Sequence, residues 1–205
     1  MLSFLVYGVV LGLSSGFAPG PLLTLVITET LQYNMKAGIK VALAPVMTDL
    51  PIIIFTLFIL SRLSHFNIVL GIISIFGGFI VLYLGYQSVR VKGVQIDLDD
   101  IQPQSLKKGI IVNALNPHPY LFWFSVGAPT MMKASKHGLM AAVIFVLSFY
   151  FLMVASKITL AVVVGRSRAF LKGKVYIYIM RFLGSMLWLF ACLLFHDGLK
   201  LLIEY

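Results

Sequence analysis

The chain has 205 residues, 60% hydrophobic and 11% charged, with a formal net charge of +9 and a mean hydropathy of +0.99. A soluble domain carries about a quarter of its residues as charges, so this composition excludes one and describes an integral membrane protein. The basic excess sits in short connections between apolar runs, a placement that serves membrane orientation and anionic headgroups rather than nucleic acid.

A membrane span needs about 20 mostly apolar residues. Six candidates follow along the chain, at 2–31, 38–60, 66–89, 109–132, 138–165 and 178–202. The first lacks the basic start of a secretory signal, is too long for one, and has proline where a small-residue cleavage site would stand. It reads as a membrane helix, and it is interrupted by Ala18-Pro19-Gly20-Pro21. Proline removes a backbone donor and clashes with the preceding turn, so this helix must break. In hydrocarbon the freed carbonyls and amides survive only where protein or a wet cavity satisfies them. Thr24, Thr28 and Glu29 form one polar face beyond the break. Glu29 is expected to reach the cytoplasmic interface, with a gate as the lesser reading.

The second span contains Ala44-Pro45-Val46-Met47-Thr48-Asp49-Leu50-Pro51. A carboxylate at mid-span costs about 3 kcal/mol on insertion scales, so Asp49 should face the interior and have a partner. Gly77-Gly78, Gly85 and Gly184 suit close helix contact. The only long polar connection runs from Arg90 to Lys108 and holds Asp97, Asp99, Asp100 and Pro103. It divides the chain into a first repeat at 1–95, a cytoplasmic linker at 96–108 and a second repeat at 109–205.

The fourth span has its own break, Asn116-Pro117-His118-Pro119. Asn116 can bond groups freed by the prolines. His118 reads as a polar residue tolerated in a wet break, with proton or ligand binding as the alternative. Lys157 lies nine residues from Arg166, about 13 Å along a helix and too deep for easy snorkelling. Asp49 lies nine residues from Lys40, and the matching depth suggests a direct or water-bridged Asp49–Lys157 pair. Cys192, the single cysteine, reads as a small buried hydrophobe.

Connections after spans one, three and five hold eleven Lys and Arg residues, from Lys36 to Arg181, against Arg62, Lys133, Lys136 and Lys200 opposite. That bias puts the first set in the cytoplasm and both termini outside. Three spans per half is odd, so a duplicated half must enter the membrane inverted. Pro19-x-Pro21 answers Pro117-x-Pro119, Gly38 answers Gly138, and Phe76-Gly77-Gly78-Phe79 answers Leu183-Gly184-Ser185-Met186. The expected fold is an all-α integral membrane protein: six transmembrane helices in two inverted three-helix repeats, with helices 1 and 4 broken by proline. Broken helices paired across repeats place a transporter's substrate site at the breaks.

Gly16-Phe17-Ala18-Pro19-Gly20-Pro21, followed by Gly38 and Asp49, resembles the opening signature of the LysE/RhtB amino-acid exporter family. Val81-Leu82-Tyr83-Leu84-Gly85-Tyr86 and Lys108-Gly109-Ile110-Ile111-Val112-Asn113-Ala114-Leu115-Asn116-Pro117 extend the likeness over nearly the whole chain. The resemblance implies six spans and export of amino acids or related small solutes, generally driven by the proton gradient. The sequence departs from the family where Ala44-Pro45-Val46-Met47-Thr48 replaces a glycine-rich stretch, and Lys157 and Pro119 are not family features.

The expected function is therefore proton-coupled export by a secondary transporter in the inner (plasma) membrane, without enzymatic activity, cofactor or bound metal. Pro19, Gly20, Pro21, Asp49, Asn116 and Pro117 are the expected substrate-binding residues, and Asp49 with Lys157 the proton-coupling pair. The expected partners are a small-molecule solute, protons and the lipid bilayer, with a homodimer left open and no nucleic acid. The alternative is a cation or metal ion exporter, weakened by having one buried aspartate and one histidine as ligands. A thiol-disulfide carrier would need paired cysteines at the breaks, where glycine and histidine stand.

Overall fold

Prolines cut the apolar runs into the observed elements. The computed structural model describes residues 1–60, 66–90, 104–167 and 174–203. Helix α1 (Leu2–Phe17) ends just before the first break and α2 (Pro21–Gln32) starts inside it, bent by 60° from α1. Then come α3 (Met35–Ala42), capped by the Asn34 side chain on the Ala37 amide, and α4 (Ala44–Leu60), with Pro51 in its interior. α5 (Phe66–Val89) closes the first half. The second half runs α6 (Ser105–Ala114), α7 (Pro117–Phe122), a π-helical turn at Trp123–Gly127, α8 (Ala128–Ser135), α9 (Leu139–Ser167) and α10 (Lys174–Ile203). Gly138, at φ +118°, makes the turn from α8 into α9 in a conformation that favours glycine.

Among the described residues, four stretches are long and apolar enough to cross a bilayer: Met35–Ile54, Gly71–Val89, Leu139–Ser167 and Ile177–Ile203. The bent α1–α2 pair makes a fifth. The run at 109–132, expected as a span broken by proline, is divided at the break into α6 and a stretch that runs through α7, the π-helical turn and α8. Pro117 has no N–H for the Asn113 carbonyl, so the ladder of α6 stops before the break and a new one starts at Asn116. The linker positions Asp97, Asp99, Asp100 and Pro103 lie outside the described residues, as do Arg62, Lys92, Arg168 and Lys172.

Small residues set how closely the helices approach. The buried stripe of α1 is Phe4, Gly8, Gly12 and Gly16, one position every four residues, and it lies on α9. A Cβ at Gly8 would sit 2.6 Å from the Phe145 carbonyl, and one at Gly12 2.5 Å from that of Phe149. Only glycine allows that backbone contact. α5 and α10 cross through reciprocal glycines. A Cβ at Gly85 would stand 2.9 Å from the Gly184 carbonyl, and one at Gly184 2.8 Å from that of Gly85. Gly71 and Gly198 repeat the arrangement at 3.0 Å in both directions.

Trp123 is buried with Phe149, Tyr120, Met153 and Ile52 in one core cluster. A second cluster joins Leu22, Leu25 and Val26 to Val41, Val81, Val112 and Leu187. The outward faces are apolar, with Leu2, Phe76, Phe79, Phe151, Phe182 and Ile203 exposed, as lipid contact demands. Cys192 belongs to this outer surface, not to the core as its apolar run suggested. Neighbouring Leu189 and Leu193 are exposed with it, so its apolar context faces lipid.

Candidate functional site

Both breaks, Asp49 and Lys157 line one cavity of about 450 Å³. From the first break come Ser15, Ala18, Pro19, Gly20 and Pro21; from the second come Asn116, His118 and Pro119. α4 contributes Pro45 and Asp49, α6 contributes Asn113, and α9 contributes Phe149, Met153 and Lys157. Of the sequence-predicted residues, only Pro117 is absent from the wall; it is buried at the start of α7. Gly20 is open to the cavity, since a Cβ there would meet nothing within 4 Å. Its φ of 179° is extended backbone that any residue adopts, so packing and strain leave this position unconstrained.

The first break is mended by a side chain from another helix. In a continuous helix the Ser15 carbonyl would accept from residue 19, but Pro19 has no N–H. The Gly16 carbonyl would accept from residue 20, which has left helical geometry. Lys157 Nζ donates to both carbonyls, at 2.9 Å each. The glycine stripe of α1 brings its backbone close enough to α9 for that reach. Lys157 itself is 4% exposed.

The second break is mended locally. Asn116 Oδ1 accepts from the His118 amide, and the Tyr120 hydroxyl donates to the Ala114 carbonyl, whose helical donor that amide would have been. The π-helical turn follows at once, a bulge frequent at functional sites.

Asp49, 4% exposed, is held on the cavity wall by polar neighbours. Asn113 Nδ2 donates to Asp49 Oδ1 at 2.9 Å and to Thr48 Oγ1 at 2.6 Å, while Thr48 donates to the Ala44 carbonyl. Tyr150 approaches Asp49 from α9 with its hydroxyl buried. Asp49 and Lys157 feel each other's charge but make no salt bridge, because Lys157 is occupied by α1. Of the expected direct or water-bridged pairing the direct form is not made: the two opposite charges sit on separate anchors across a shared space. Asn113 was missed as a partner of Asp49; its only sequence signal was its place in the Asn113-Ala114-Leu115-Asn116 stretch entering the break.

Glu29 also differs from expectation. It is 1% exposed, bonded to Lys108 Nζ at 2.6 Å and accepting from Ser105 Oγ at 2.5 Å. Lys108 lies 5.3 Å over the Tyr33 ring. This network ties the end of α2 to the start of α6, away from the cavity wall. Thr24 and Thr28 are buried on the same helix.

Comparison with curated proteins and with solved structures gives no match. The LysE type translocator family matches residues 13–198, a stretch containing both breaks, Asp49, Asn113 and Lys157. With that match over most of its length, the chain belongs to the LysE type translocator family.

Proposed function

We propose that this membrane exporter is a secondary transporter that moves amino acids or related small metabolites out of the cytoplasm in exchange for protons. The observation carrying the reading is the shared cavity: two proline breaks, one from each half, meet around Asp49 and Lys157, the buried acid and base of its wall among the described residues. Pro19, Gly20, Pro21, Asp49 and Asn116 form the solute site, with Pro117 shaping the break behind the wall. Asp49 carries the exchanged proton or takes the solute ammonium, and Lys157 balances its charge. The N-terminus of α2 opens at the cavity and adds a favourable field for a carboxylate. A metal exporter is disfavoured by the donor set, one carboxylate and one imidazole beside a fixed lysine cation.

The proposed plan is two inverted repeats. It is supported by pairings that a two-fold axis would interchange: α1 on α9 against α6 on α4, and α5 on α10 with itself. Gly71 and Gly85 are 14 residues apart, as are Gly184 and Gly198, so the two glycine contacts exchange under the same axis.

The test uses proteoliposomes loaded with labelled amino acids under an imposed proton gradient. Wild-type protein should release solute faster with the gradient, and Asp49→Asn should lose that acceleration. Full gradient-driven release from Asp49→Asn would remove Asp49 as the proton carrier. Indifference of the wild type to the gradient would reject proton coupling.

A further inference from the structure

We infer that Lys157 recognises the carboxylate of the solute, so that the site reads a zwitterion whose side chain is apolar. This rests on the amino-acid reading above and deepens it. Two charges of opposite sign, each 4% exposed, line the same cavity and do not bond each other. Burying both charges is costly unless each is satisfied. An ammonium has three N–H donors, and α1 takes two of those of Lys157, through Ser15 and Gly16. The third remains for the cavity. Asn113 donates to Asp49 Oδ1 and Tyr150 stands beside the carboxylate; with about four acceptor sites on its two oxygens, Asp49 still has room to accept from an ammonium. An α-amino acid presents the complementary pair, carboxylate to Lys157 and ammonium to Asp49.

The rest of the wall decides the side chain. Phe122, Trp123, Phe149 and Met153 stand beside the charged pair, with Phe122 and Phe149 stacked at 5.0 Å. At about 450 Å³ the cavity is at the small end of ligand pockets, which run from about 300 to 1,000 Å³. A side-chain charge placed against these rings would be buried without a partner. The fit is to an amino acid such as leucine or phenylalanine, not to glutamate or lysine.

The test measures binding to purified full-length protein in nanodiscs by calorimetry, at one near-neutral pH for every probe so that Asp49 and the glutamate side chain stay ionised. The probes are L-phenylalanine, L-phenylalaninamide (which lacks only the carboxylate charge), L-leucine, L-glutamate and L-lysine. Wild-type protein should bind phenylalanine about tenfold to a hundredfold tighter than its amide, the range of a charge-assisted hydrogen bond. Lys157→Gln should erase that difference and Lys157→Arg should keep most of it. If Lys157→Gln fails to fold, the acid–amide ratio of the wild type and the arginine variant decide. Equal wild-type affinity for acid and amide would overturn the inference while leaving amine recognition intact. An unchanged ratio in folded Lys157→Gln would place the carboxylate elsewhere. Preference for glutamate or lysine would overturn the apolar assignment. Binding of none of the amino acids by folded protein would reject the amino-acid reading itself.

Discussion

At the scale of single residues, space and hydrogen bonding separate positions that read alike in the sequence. Gly20 is unconstrained by packing, so Gly20→Leu should leave the melting transition within about 0.5 kcal/mol of wild type. It should still stop efflux, because the new side chain occupies the cavity; Gly20→Ala should transport. Normal efflux through Gly20→Leu would show that this glycine borders no path. Lys157 is different, since it satisfies two backbone carbonyls as well as facing a carboxylate. Orphaning buried carbonyls costs about 1–3 kcal/mol each, so Lys157→Met should be strongly destabilising. The double variant with Asp49→Asn should recover only part of that loss, because the carbonyls of Ser15 and Gly16 stay open. Complete recovery, read from four melting curves in detergent, would mean that charge balance alone matters at this position.

At the scale of elements, glycine stripes and one buried ion pair hold the helices in place. Without a hydrophobic drive between helices in lipid, close packing carries association. Gly12→Leu would force α1 off α9, where a Cβ already meets the Phe149 carbonyl at 2.5 Å. Overpacking typically costs about 1–3 kcal/mol, occasionally more. Here it would also pull Ser15 and Gly16 away from Lys157, so binding of a solute should fall along with melting temperature. Retained binding in a destabilised Gly12→Leu protein would uncouple the stripe from the site. Lys108→Ala leaves Glu29 buried with Ser105 as its remaining side-chain partner. Removing one member of a buried pair costs about 3–5 kcal/mol. Glu29→Gln/Lys108→Met should be milder than Lys108→Ala, and a double-mutant melting cycle checks it.

At the scale of the molecule, the distribution of basic residues sets the expected orientation. Lys36 and Lys107 should face the cytoplasm and Lys133 the opposite side, all three being exposed. In a Cys192→Ser background, cysteines placed at Lys36 and Lys107 should resist an impermeant reagent in intact cells, while one at Lys133 reacts. The reverse pattern would invert the topology and leave the helix pairing unchanged.

Composition and proline placement alone determined the membrane class, the two breaks and the buried charges, because each follows from local chemistry. Hydrocarbon excludes charge, and two prolines one residue apart end a hydrogen-bond ladder, where single prolines such as Pro51 stay within a helix. Asp49 on the wall beside both breaks was legible for the same reason: a mid-span carboxylate must turn inward. What donates to each group was decided only by tertiary structure. Lys157 and Ser15 are 142 residues apart, and Asn113 and Asp49 are 64 apart. Depth along a helix suggested that Lys157 and Asp49 would meet; the glycine stripe brought α1 closer to Lys157, and the open carbonyls beside Pro19 took its protons. Glu29 read as an interfacial acid because its helix ends there, yet α6 covers it. Periodicity fixes the height of a residue in its own helix, whereas its partner depends on which neighbouring helix packs against that face.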